Sequence, residues 1–154
     1  MSRRDRRAST PRSIAPSPAS KRRVQYGICR YALAVPYLRS VRDAIVRTFA
    51  SRGLVCAGSA TLEISINAAF AEVPAASIRD LVARADMPEA EAIAIICTNL
   101  PAGWLVADLE QTHAKPVFDS TLVTIWHALR LAAVDDMLDG WGDLLRRPLQ
   151  GRPV

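Results

Sequence analysis

The residues best suited to chemistry stand together in "AIAIICTNL", Ala92 to Leu100. Five apolar residues run into Cys97, and a hydroxyl (Thr98) and an amide (Asn99) follow. A thiol can move a proton near neutral pH, because its ordinary pKa of about 8.5 needs only a modest shift. The competing reading is burial, since cysteine behaves as a small hydrophobe and is among the most buried residue types. The choice turns on position. A thiol at the carboxyl end of a strand lies where open α/β sheets place their chemistry.

The surrounding pattern supplies such strands. "YALAVPY" is a short apolar run bounded by Pro36, as expected of a buried parallel strand. "LRSVRDAIVRTFASRG" follows with Leu38, Val41, Ile45, Val46 and Phe49 at helical spacing and Gly53 as the stop. "LVCAGSAT" reads as the second strand, and "LEISINAAF" as a loop with one helical turn. "PAASIRDLVARADM" is a helix with Pro74 near its first turn, and "EAIAIIC" is the third strand. "PAGWLVADLEQTHA" reads as a helix starting near Pro101, "KPVFDS" as a short fourth strand, and "STLVTIWHALRLAAV" as a helix that Ser120 or Thr121 can cap. Asp119 and Ser120 read as a capping pair rather than as catalysts. Trp104, Trp126 and Trp141 fall in apolar helical patterns and read as core.

Strands alternating with helices predict an α/β fold with a four-stranded parallel sheet in flavodoxin-like order. Tyr37, Cys97 with Thr98, and Asp119 with Ser120 then gather at one rim. That convergence favours the reactive reading of Cys97. There is no G-x-G-x-x-G, no Walker-type loop and no G-x-S-x-G elbow, so nucleotide binding has little support.

Composition bounds the rest. The 154 residues suit one domain, and no apolar run approaches the roughly 20 residues of a membrane helix. Cys29, Cys56 and Cys97 are an odd set without a C-x-x-C pair, which indicates neither a disulfide framework nor a metal site and suits the cytoplasm. The net charge of +5 is uneven: residues 1–30 hold nine Lys/Arg and one acid, leaving 11 basic and 14 acidic residues, a net of −3, in 31–154. Residues 1–24 are Arg-, Ser- and Pro-rich with almost no large apolar side chain, so they are expected to be a disordered, dispensable extension. The body at 25–154 is then mildly acidic, which disfavours nucleic acid as its partner.

Taken together, several motifs resemble the Asp/Glu racemase superfamily, in the branch of maleate cis-trans isomerases and arylmalonate decarboxylases. "RYALAVPYLRSV" is similar to the strand and Pro-Tyr pair opening that family's second half, and "LEISINAAFAEVPAASIRDLVARAD" to its connecting segment. "AEAIAIICTNL" resembles the strand bearing its second cysteine, and "KPVFDSTLVTIWHALRLAAVDDMLDGWGDLL" its closing strand, helix and Trp-Gly segment. The resemblance spans about Gly27 to Leu145. It implies two similar α/β halves with the site in the cleft between them, one cysteine from each.

For this chain the resemblance implies a cofactor-independent isomerase, racemase or decarboxylase acting on a small carboxylic acid. Cys97 would be the acid/base, and Tyr37, Thr98 and Asn99 would bind the substrate carboxylate or the enediolate formed from it. Such an intermediate needs donors aimed at its oxygens. The departure is large, because the resemblance covers only the second half. Neither Cys29 nor Cys56 matches the first cysteine, which implies a truncated member holding half of a site. The expectation is therefore a chain that self-associates or needs a complementary first half, with no turnover by the isolated monomer. The rival reading is a non-catalytic remnant or binding half-domain that pairs with another chain.

Overall fold

A computed structural model describes residues 27–134 and 137–146. The expected extension at 1–24 lies outside these residues. The elements run β1 (Arg30–Val35), α1 (Arg39–Ala50), β2 (Val55–Thr61), a 3-10 segment (Asn67–Glu72), α2 (Ala75–Ala85) and β3 (Ala92–Ile95). A second 3-10 segment (Gly103–Leu105), α3 (Val106–His113), β4 (Val117–Asp119), α4 (Ser120–Leu131) and a short α5 (Asp143–Arg146) follow. The four strands form one sheet of order β2-β1-β3-β4, every pair parallel. This is the flavodoxin-like order expected from the alternation.

β1 is central, and burial on both faces explains its unbroken apolar run. Ala32 and Ala34 join Ile93 and Ile95 in the larger core, with Ile78, Leu81 and Val82 of α2 and Leu105, Val106 and Leu109 from α3 and the segment before it. Tyr31, Leu33 and Val35 face the other way, against Ile45, Val46 and Phe49 of α1. Each fully buried aliphatic side chain contributes about 1.5–3 kcal/mol, so the larger layer carries most of the stability. Helix α1 stops as expected at Gly53, whose φ of 76° is left-handed and whose N–H bonds the Ala50 carbonyl. Pro74 precedes α2, where its missing N–H costs nothing. A bulge at Ala57 shifts the β1–β2 register, and Gly58 then lies so close to the end of α2 that a Cβ would sit 2.4 Å from the Ala85 carbonyl oxygen.

Three expectations are corrected. Helix α3 begins at Val106 rather than near Pro101, because a tight turn intervenes: the Leu100 N–H bonds the Cys97 carbonyl and the Ala102 N–H reaches back to Leu100. Helix α4 is capped by Asp119, as one member of the expected capping pair, and not by Ser120 or Thr121; its Oδ1 accepts the Thr121 and Leu122 N–H groups at 2.9 and 3.1 Å. The tryptophans are not uniformly core: Trp104 is 58% and Trp141 42% exposed, while Trp126 is half-buried.

Candidate active site

Parallel strands end on one rim, and that rim collects the predicted residues. Tyr37 follows β1 after Pro36, Cys97 lies two residues past β3, and Asp119 closes β4. The structure brings Tyr37 and Cys97 together. The Tyr37 hydroxyl is pushed up to about 12, first by burial and then by its hydrogen bond and charge interaction with Cys97. At that value it keeps its proton across the neutral range and serves as a donor. Its ring meets Phe70 edge-on, with centroids 5.3 Å apart, which fixes where the hydroxyl points. Cys97 itself is only 3% exposed. The helix start expected beside it is displaced by the intervening turn.

Thr98 and Asn99 are exposed on the turn that follows. The Thr98 carbonyl accepts the Thr121 hydroxyl at 3.4 Å, and the Ser120 hydroxyl bonds the Ile95 carbonyl at 3.2 Å, so the start of α4 is stitched to the end of β3. Asn99 donates its amide to the carbonyl and side-chain oxygens of Asn67 at 3.2 and 3.3 Å. It therefore joins two loops of the rim. Asn67 and Phe70 are site-shaping residues that sequence reasoning missed; both lie in "SINAAF", where only a helical turn was legible. Asp119 is fully buried and its Oδ2 has no partner among the described residues, and burial raises its carboxyl pKa despite two N–H donors to the other oxygen.

The other two cysteines stand elsewhere. Cys29 precedes β1 and Cys56 lies at the start of β2, paired in register with Tyr31, so both belong to the amino end of the sheet. Burial pushes the Cys56 thiol up, and its sulfur donates to the Gly58 carbonyl at 3.2 Å. Among the described residues, Cys97 is the one cysteine at the carboxyl rim, and no cluster of three or more His, Cys, Asp or Glu could hold a metal ion.

The chain is similar in sequence and fold to known proteins. Arylmalonate decarboxylase of Bordetella bronchiseptica is 32% identical over 108 residues, 69% of this chain and 45% of that protein. Maleate isomerase of Nocardia farcinica is 25% identical over 119 residues, 77% of this chain and 47% of that one. The chain thus spans about half the length of the curated relatives it matches. A crystal structure of a liganded arylmalonate decarboxylase double mutant superposes with a TM-score of 0.74 at 29% identity, covering 82% of this chain and 54% of that one. A Nocardia farcinica maleate cis-trans isomerase mutant with a covalently bound succinylcysteine intermediate gives 0.77 at 22% identity, covering 83% and 53%, and supports the fold alone. These neighbours have the Asp/Glu racemase-like fold, as the resemblance implied. The family profile described as arylmalonate decarboxylase matches residues 7–145, most of the chain, and the protein belongs to that family.

Proposed function

We propose that this domain forms one wall of the active site of a cofactor-independent decarboxylase or isomerase for a small carboxylic acid, with Cys97 as its acid/base. The observation that carries this reading is the meeting of the Tyr37 hydroxyl with the Cys97 thiol at the carboxyl rim, beside exposed Thr98. In decarboxylation the C–C bond to the departing carboxylate breaks and CO2 leaves. The electron pair stays behind as an enediolate, the Cys97 S–H delivers its proton to carbon, and water returns a proton to sulfur. Tyr37, Thr98 and Asn99 would hold the remaining carboxylate, where donors matched to developing charge are worth the most.

Isomerisation asks for more, because a second group must add to the double bond or act on the opposite face. The succinylcysteine of the Nocardia structure supports a thiol as that nucleophile in the relative. Cys29 and Cys56 stand at the far end of the sheet, and this reading takes the opposite wall from outside the described residues. The rival reading, a non-catalytic half-domain that pairs with another chain, draws on Asn99 being tied to Asn67 and on the burial of Cys97.

The test measures turnover of arylmalonates and maleate by the full chain, alone and mixed with the first half of a relative. Each arm is repeated with Cys97→Ala. We expect activity in the mixture that Cys97→Ala abolishes. Activity indifferent to that substitution would refute the role of Cys97. Two halves that co-purify without activity would favour the binding half-domain.

A further inference from the structure

Cys97 stands just past the strand that delivers it. Beyond β3 the Ile96 N–H bonds the Ala34 carbonyl at 3.2 Å, and from there the chain turns at once. The Leu100 N–H closes that turn on the Cys97 carbonyl at 3.3 Å. A turn of this kind fixes its own shape but not its place on the sheet. The thiol is nevertheless 3% exposed and meets the Tyr37 hydroxyl, so a neighbouring element holds the turn in place. The start of α4 does so, through three consecutive residues. Asp119 pairs in register with Ile95, is fully buried, and reaches the far end of the turn, where a Cβ added at Gly103 would stand 3.5 Å from its Oδ1. That oxygen accepts the Thr121 and Leu122 N–H groups at 2.9 and 3.1 Å and so fixes the first turn of α4. Ser120 then donates its hydroxyl to the Ile95 carbonyl at 3.2 Å, and Thr121 donates to the Thr98 carbonyl at 3.4 Å. The two accepting carbonyls bracket Cys97.

Each hydroxyl bond is long and weak by itself, and the pair acts together only while the cap keeps α4 in register. The Asp119 Oδ2 has no partner among the described residues, so this side chain works through the cap and not through an ion pair. We infer that Asp119, Ser120 and Thr121 are positioning residues for Cys97: the cap sets the start of α4, and the two hydroxyls set the backbone on either side of the thiol. Position matters because a reacting group misplaced by about 1 Å can lose on the order of 100-fold in rate. The inference deepens the reading of Cys97 as the reacting thiol and rests on it. Labelling without substrate reads the positioning, whereas turnover reads the chemistry, so the two can fail separately.

Alkylation of the full chain without substrate, resolved at Cys97 and Cys56 by mass spectrometry, tests it. Two variants loosen the hold by different routes. Asp119→Ala removes the cap, while Ser120→Ala combined with Thr121→Val removes both hydroxyls and leaves the cap. Circular dichroism shows whether each keeps its fold. We expect both to speed labelling of Cys97 by about fivefold, the size of one lost cap, with Cys56 at the other end of the sheet unchanged. Asp119→Asn keeps the acceptor and should label within about twofold of wild type. Equal acceleration of Cys97 and Cys56 overturns the inference, because it marks general loosening. So does an unchanged rate at Cys97 in either folded variant, or an Asp119→Asn protein that behaves like Asp119→Ala. If Asp119→Ala does not fold, the hydroxyl pair decides alone.

Discussion

The two ends of the sheet differ in how their polar groups are used. At the amino end several are spent on one another. Glu91 accepts the Cys29 and Arg30 N–H groups at 2.6 and 2.9 Å and so fixes the start of β1. Asp86, at the end of α2, binds His113 at 2.9 Å and Lys115 at 2.7 Å. Glu110 accepts the N–H groups of Val117 and Asp143, tying β4 to α5. At the carboxyl end capacity is left over: Thr98 is exposed, the Tyr37 hydroxyl meets a thiol, and the buried Asp119 Oδ2 has no partner among the described residues. The contrast separates stapling from chemistry. Polar groups paired within the fold hold it together, whereas groups poised at a rim are available to a ligand.

Perturbations should sort by end. The largest loss of stability is expected from Gly58→Ala, because the added methyl would meet the Ala85 carbonyl at 2.4 Å and the Met87 side chain at 2.5 Å. Overpacking of this kind costs about 1–3 kcal/mol, and a backbone contact leaves little room to relax. Chemical denaturation measures it; an unchanged midpoint would show that the end of α2 is not locked onto β2.

Asp86→Asn comes next, at about 0.5–1.5 kcal/mol, because Asn still accepts a hydrogen bond and only the charge assistance is lost. Burial would raise the Asp86 carboxyl, but the hydrogen bonds and charges of Lys115 and His113 outweigh it and hold it below 3.8. A depressed carboxyl stabilises the fold above its unfolded pKa, and that contribution is lost as pH falls through the folded value. The gap between wild type and Asp86→Asn should therefore close in strong acid. A gap that is constant with pH would rule out the ion-pair staple.

Asp119→Asn should have the smallest effect, since Asn caps helices about as well as Asp. Its pH dependence runs the other way. Burial raises the Asp119 carboxyl, so its contribution is present below the unfolded pKa of 3.8 and is lost as pH rises through the folded value. The variant should gain on wild type between acid and neutral pH. Denaturation midpoints at the two pH values check the sign, and the opposite trend would place Asp119 in a satisfied charge network.

Much of the scaffold was legible because β1 and β3 carry unbroken apolar runs of the kind buried parallel strands show. Gly53 marked a real helix end by its left-handed φ. The start of α3 was not legible, because "PAGW" fits a helix N-terminus until the chain is seen folding Ala102 back on Leu100. The tryptophans misled for a related reason: periodicity shows that a face is apolar, but tertiary packing decides whether anything covers it. At the site, Cys97 and Tyr37 could be placed on one rim from strand order alone. The bond from Asn99 to Asn67 could not, since it spans 32 residues and joins two loops without periodicity.

The central claim is that the carboxyl rim binds a small carboxylate against Cys97 while the cysteines at the amino end are structural. Alkylation rates of Cys29, Cys56 and Cys97, resolved by mass spectrometry with and without saturating malonate or maleate, test it most directly. Slower labelling of Cys97 alone, with the protection weakened by Tyr37→Phe, is the predicted result. Equal protection of all three, or none at Cys97, would contradict the account.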